Sequence, residues 1–337
     1  MIDGFEVLSP GLFTTLQDAG RFGFEDYGVP PSGAMDEMSF AIANALVGNQ
    51  ADTGALEFTL TGATLRLTGS EPCIFAVTGD MALSIDGVAA EPYHRLTLLP
   101  GHTLRIARTL SGARGYLAVA GGFKVKPVMG SVSTLMRAGL GGFSGRQLQK
   151  GDWLPLNPSL HRVKKSHWMP TPHGAHFTDK ARGVPEQRLM PQRERRPIRV
   201  IPGPQDDHFD QTAISQFLST AYRVSEQSDR MGYRLSGNPI SHTKGFNIVS
   251  DGISRGSIQI PGSGEPIIAM NDRQTTGGYP KIATVIRADL ARLGQAKPGD
   301  MISFETVSVE KAESLWVGRQ MQLDNWLNKV RRNAQPA

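Results

Sequence analysis

GSEPCIFAVTGD, residues Gly69–Asp80, has a counterpart far down the chain in GSGEPIIAMNDR, residues Gly262–Arg273. Both read Gly-Ser, then Glu-Pro, then an apolar run of strand length that ends beside an Asp. A second set of likenesses runs alongside. LLPGHTLRI (Leu98–Ile106), LQKGDWLPL (Leu148–Leu156) and AKPGDMISF (Ala296–Phe304) each open a strand-like run with a Gly-Asp or Gly-His turn. A duplicated, barrel-like β unit accounts for both sets. Convergent turn chemistry is the competing account, because Pro-Gly-Asp commonly precedes strands.

The residues between these landmarks read mostly as short strands. Ala63–Gly69 alternates, Cys73–Gly79 is nearly continuous, and His102–Ala107 and Gly115–Gly122 repeat the pattern, each closed by Gly or Pro. With 38 glycines and 22 prolines in 337 residues, turns and short elements are expected over long helices. Three helices interrupt the strands. In SGAMDEMSFAIANALVGN, Met35, Met38, Ile42 and Ala45/Leu46 fall at helical spacing, with Gly48 placed to end the helix. A second helix is expected over Asp207–Thr220, with Phe209, Ala213 and Phe217 four apart. The third, over 313–332, carries Leu323, Trp326/Leu327 and Val330 on one face and a basic end suited to the helix dipole. The expected division is a β lobe over 1–160, a basic Pro-rich linker over 161–197, a second β lobe over 198–312, and the terminal helix.

The stretch His161–Arg199 holds ten Lys/Arg against three acids and four of the eight histidines. A nucleic-acid arm is the sharper alternative to a linker, but the run has no interleaved aromatic platform and no basic helix. His167, His173 and His176 have no carboxylate or cysteine at metal-ligand spacing, so no metal site is expected. The net charge of +5 suits anionic small molecules, an acidic partner or nucleic acid, and alone decides among none of them. A single cysteine, Cys73, excludes intrachain disulfides and cysteine-based zinc sites. No signal peptide is expected from the N-terminal residues, and no segment approaches the roughly 18 apolar residues that span a bilayer; the expected location is the cytoplasm. A P-loop is excluded because no GxxxxGK[ST] occurs, and Gly139–Arg146 lacks the third glycine of a dinucleotide fingerprint. Gly252–Gly256 (GISRG) matches GxSxG at Ser254, but the run after it reads as a strand where a nucleophile elbow needs a helix.

Three polar stretches exceed what strand packing requires. Thr15–Glu37 alternates charges with glycines and leads into a helix start at Ser32, Gly33 and Asp36, whose free N–H groups suit an anion; an N-cap with a turn accounts for Ser32 equally well. Ser225–Leu235 places Asp229 and Arg230 before a Gly, which equally describes a structural ion pair. The densest stretch is Ile248–Lys281. Asp251, Gln259, Asp272, Arg273, Gln274, Thr275, Thr276 and Lys281 crowd turns between short strands, and the backbone at Gly277 and Gly278 lets an anion approach closely. A pair of elaborate hairpins is the plainer reading.

GLFTTLQDAGRFGFEDYGVPPSGAMD, GALEFTLTGATLRL, AGLGGFSGRQLQKGD, GPQDDHF, SDRMGYRL and SDGISRGSIQIPGSGEPIIAMNDRQTTGGYPKIATVI, in that order from about Gly11 to Phe304, together resemble the family of the 5-oxoprolinase C subunit. That family is also known as allophanate hydrolase subunit 2 or urea amidolyase-related, and its domain serves as the carboxyltransferase domain of urea carboxylase. The resemblance implies a mainly β chain with a few helices, folded as two cyclophilin-like β-barrel lobes. It implies a heteromeric complex with the 5-oxoprolinase subunits A and B, of which B is the direct partner. That complex opens 5-oxo-L-proline to glutamate at the expense of ATP (with Mg at the level of the complex). Inside these motifs, residue chemistry makes Arg21, Arg146, Arg230 and Arg273 anion-clamp candidates. Asp251 and Asp272 are candidate acid/base or orienting groups, and Gln274, Thr275, Gly277 and Gly278 candidate oxyanion or phosphate donors. Ser32, Gln259, Tyr279 and Lys281 complete the expected substrate-binding set. Two other functions accompany the resemblance: a carboxyltransferase component acting on urea or a similar amide, and a non-catalytic regulatory partner of a kinase-inhibitor-like B subunit. No biotin attachment sequence occurs in this chain, so any biotin is expected on another.

Overall fold

A computed structural model describes residues 3–158, 176–178 and 196–334. The chain is mainly β, as expected, with α-helices at Glu37–Leu46, Gln211–Ser219, Arg287–Gly294 and Val309–Ala334 among the described residues. It divides into two compact units that are not contiguous in sequence. The first comprises Met1–Arg21, Ser32–Met190 and Leu323–Ala337; the second comprises Phe22–Pro31 and Pro191–Gln322.

The first unit contains two six-stranded sheets. One runs Trp153–Pro155, Gly4–Ser9, Thr64–Thr68, Thr103–Thr109, Met81–Ile85, Val88–Ala90. The other runs His176–Thr178, Leu96–Leu98, Cys73–Thr78, Arg114–Val119, Ala55–Thr59, Phe13–Gln17. Where a strand covers the core on one face only, its sequence alternates: Leu65 and Leu67 are fully buried while Arg66 between them is exposed. Cys73–Thr78 is buried at every position because both of its faces are covered. Phe75 and Val77 join the core with Phe5, Leu65 and Leu117. Ile74 and Ala76 pack instead under the helix Glu37–Leu46, against Phe40, Ile42 and Leu46. The continuous apolar run noted in the sequence has that physical origin.

Asp36, not Ser32, caps that helix, accepting from the Met38 and Ser39 N–H groups. Ser32 lies in the preceding turn at φ 57°. Of the segment read as a linker, His176–Thr178 pairs antiparallel with Leu96–Leu98; 161–175 and 179–195 lie outside the described residues.

The second unit is built on one eight-stranded sheet: Met301–Ile302, Tyr222–Val224, Gly232–Ser236, Ile267–Ala269, Ser257–Gln259, Lys281–Val285, Ile198–Pro202, Phe304–Thr306. Its first and last strands are neighbours in sequence, with only Ser303 between them. One stretch, 301–306, therefore pairs with Tyr222–Val224 on one edge and Ile198–Pro202 on the other, nearly closing the sheet into a barrel. The Phe304 ring stacks on Phe217 of the helix Gln211–Ser219, at 4.6 Å between centroids. That helix begins later than its hydrophobic spacing suggested. Asp210 caps it through the Ala213 N–H, and Asp206–His208 forms a separate 3-10 turn. The last helix, expected over 313–332, starts earlier, at Val309.

The repeated Gly-Asp and Gly-His turns are one structure in three places. Gly101, Gly151 and Gly299 all adopt left-handed φ angles, between 84° and 91°, and their N–H groups donate to Leu67, Val7 and Val224 on neighbouring strands. In the last two, the Asp after the glycine accepts the N–H three residues back, Gln149 to Asp152 and Lys297 to Asp300.

Candidate functional site

In the second unit, side-chain alternation along three adjacent strands separates core from site. Tyr233, Ile268 and Ile258 point into the barrel and are buried. Their neighbours Gly232, Arg234, Ile267, Ala269 and Gln259 share the opposite face. The register places Arg234, Ile267 and Gln259 in one cross-strand row, with Gly232 beside Ala269 in the next. This outer face is the floor of a cavity of about 310 Å³. Ile253 and the loop carrying Arg273, Gln274, Gly277, Gly278 and Tyr279 form one wall, and Gln227, Asp229 and Met231 form the other.

The loop is pinned at several points. Thr276–Gly277 pairs with Asp251–Gly252, and the Ile248 N–H donates to Gly278 O at 2.8 Å. Asp272 accepts two parallel hydrogen bonds from Arg230, from Nε at 2.9 Å and Nη2 at 3.0 Å, while its own N–H donates to Arg230 O. Lys281 is buried and reaches Asp251 Oδ2 at 2.5 Å and Gly252 O at 3.0 Å. Asp251 also accepts from Gln205 Nε2, and its own half-exposed carboxyl is held below the usual carboxylate range, chiefly by Lys281.

Arg273 differs from these paired groups. Its Nε donates to Ile253 O at 2.8 Å, and its terminal amines donate to no protein group among the described residues. Desolvation, then the neighbouring Arg255 charge, lowers its pKa, with Glu25 opposing. It remains charged near neutrality. A partly buried guanidinium with free terminal donors in a cavity wall can hold a carboxylate or a phosphoryl oxygen pair.

The structure thus brings Gln259, Arg273, Gln274, Gly277, Gly278 and Tyr279 around one cavity. Arg230, Asp272, Asp251 and Lys281 stand behind it as ion pairs, and the Thr275 carbonyl accepts the Ile253 N–H. The other three expected residues belong to the first unit. Arg21 is buried and donates to Val128 O and Ser133 O; Arg146 is held in a bidentate pair by Asp152; Ser32 lies in the turn before the first helix. Arg234 was not among the expected site residues, although GYRLS alternates in period two and so marks it as outward-facing. Among the described residues, no three His, Cys, Asp or Glu side chains converge to hold a metal.

Comparison with known proteins gives a consistent set of likenesses. Residues 27–306 match the family described as carboxyltransferase domain, subdomain A and B. The Escherichia coli (strain K12) protein named as the C subunit of 5-oxoprolinase is 40% identical over 308 residues, covering 91% of this chain and 92% of that protein. The Haemophilus influenzae protein of the same name is 36% identical over 325 residues, covering 96% and 97%. The crystal structure of the K. lactis urea amidolyase superposes with a TM-score of 0.81 at 32% identity, covering 96% of this chain but only 20% of that one.

Proposed function

This chain belongs to the carboxyltransferase-domain family, subdomains A and B, and from that premise we propose that it is the C subunit of an ATP-dependent 5-oxoprolinase. Together with subunits A and B, it contributes to the site that opens 5-oxo-L-proline to L-glutamate. The observation that carries this reading is the 40% identity, over nine-tenths of both chains, to a protein named for that role. The cavity is compatible with it: a small volume, a free guanidinium and carboxamides suit a compact, anionic, amide-bearing molecule.

ATP, with Mg, supplies the phosphoryl group that makes an unreactive lactam carbonyl open to water. Nucleotide and metal belong, in this reading, to the assembled complex. This chain's own part is binding and orientation. Arg273 offers paired donors to an anion, Gln259 and Gln274 offer amide partners, and the Arg230–Asp272 pair fixes the loop that carries them. A cytoplasmic setting belongs to the same proposal; among the described residues no helix is long and apolar enough to cross a membrane.

The likeness to urea amidolyase supports a second reading, a carboxyltransferase component acting on urea or a similar amide with biotin carried on another chain. Product analysis of the chain combined with its partner subunits separates the two. The first reading predicts glutamate from 5-oxoproline and ATP without bicarbonate. Turnover that needs bicarbonate and a biotinylated partner supports the second. Tight association that changes a partner's activity, with no turnover of either amide, makes the chain a regulatory binder and overturns both.

A further inference from the structure

Gln259 is the polar side chain in this cavity with the least explained position. It is 9% exposed, lines the cavity, and makes no side-chain hydrogen bond to protein among the described residues. A carboxamide brings two donors and an acceptor, and those of Gln259 are open to a ligand in the cavity it lines. Its placement is specific. The pairing of Ser257–Gln259 with Lys281–Val285 shifts register between Ile258 and Gln259, so that Gln259 faces Lys281 and Ile282 is skipped. Irregularities of this kind re-aim side chains beside sites. Gly277 leaves the room: a Cβ there would lie 2.8 Å from Gln259 Nε2 and 2.5 Å from Ile253 Cδ1. Arg273, with its free terminal amines, shares the cavity.

A primary carboxamide presents C=O and a syn N–H along one edge. An ordinary trans amide points its own C=O and N–H in opposite directions and cannot match that edge. A five-membered lactam holds them cis, side by side, so lactam and carboxamide can exchange two hydrogen bonds. We infer that Gln259 binds substrate by this cis-amide edge, its Nε2 donating to the lactam oxygen and its Oε1 accepting from the lactam N–H, while Arg273 takes a carboxylate on the carbon beside that nitrogen. The pocket then selects an anionic lactam through two separable contacts. This assignment rests on the 5-oxoprolinase reading for the identity of the substrate and on the cavity alone for its edge recognition.

The test uses the complete complex and three ligands: 5-oxo-L-proline, 2-pyrrolidone (the same edge without the carboxylate) and N-methyl-2-pyrrolidone (the edge blocked). Calorimetric titration of the wild-type complex should rank them in that order, with each loss weakening binding about 10- to 100-fold. Gln259→Met should raise KM for 5-oxoproline by a similar factor and abolish the distinction between the two pyrrolidones. Arg273→Met should weaken 5-oxoproline but leave 2-pyrrolidone binding unchanged. Equal binding of N-methyl-2-pyrrolidone and 2-pyrrolidone overturns the inference, and so does an unaltered KM in Gln259→Met. The wild-type ligand series gives that answer even if Gln259→Met does not fold. A complex that ranks the ligands as stated but releases no glutamate keeps the edge recognition and overturns the 5-oxoprolinase reading instead.

Discussion

Asp272 shows how one residue's role depends on its partner. Both of its carboxylate oxygens accept from Arg230, and the two side chains are only 10% and 6% exposed. An acid so engaged holds the start of the cavity loop in place before it does anything else. Removing it leaves a buried guanidinium without its carboxylate, so Asp272→Ala should cost about 3 kcal/mol or more of stability, measured as a lowered denaturation midpoint of the chain. Undiminished stability combined with lost turnover would show instead that the carboxylate takes part in the chemistry. The sequence places Arg230 and Asp272 among the candidates, but the structural ion pair it offers for Arg230 is with the adjacent Asp229, whereas the bidentate partner is Asp272. Their sequence separation hides the pairing, which exists only because the strands Gly232–Ser236 and Ile267–Ala269 lie side by side. Arg273, one residue further on, kept its free donors because its Nε alone is engaged.

Among the elements, the helix Arg287–Gly294 is tied to the second unit by Asp289, which is fully buried. Burial by itself would raise the Asp289 pKa, but side-chain and backbone hydrogen bonds from Arg199, with the Arg292 and Arg199 charges, hold it below the usual carboxylate range. A carboxyl depressed on folding stabilises the native state above its unfolded pKa of about 4 and loses that contribution as pH falls through the lower native value. Unfolding free energy should therefore decline in acid, and Asp289→Asn should be less stable at neutral pH with a shallower acid decline. Parallel declines in the two proteins would contradict this. Element types were largely legible in the sequence, because alternation and helical spacing follow directly from burial. Ends were less so. The spacing alone places the start of the helix Gln211–Ser219 at Asp207, since Phe209 continues the hydrophobic pattern while Asp210 is the residue that caps. The place of Arg234 is hidden for a related reason: alternation marks a residue as outward, and only the neighbouring strands make that face a cavity floor.

At the scale of the whole molecule, the paired stretches Gly69–Asp80 and Gly262–Arg273 did point to β structure in both halves, and the shared Gly-Asp turns are the same hydrogen-bonded device in each unit. What a linear reading could not supply is the non-contiguous division, in which Phe22–Pro31 counts with the second unit and Leu323–Ala337 with the first. Such exchanges are decided by long-range packing, which local patterns do not encode. The function was legible chiefly through ordered motifs spanning most of the chain, with the cavity supplying chemistry consistent with it. The most direct test of that function is an omission experiment, following glutamate released from 5-oxo-L-proline and ATP by subunits A and B with and without this chain. Sustained, ATP-dependent release is expected only when the chain is present; full release in its absence would contradict the assignment.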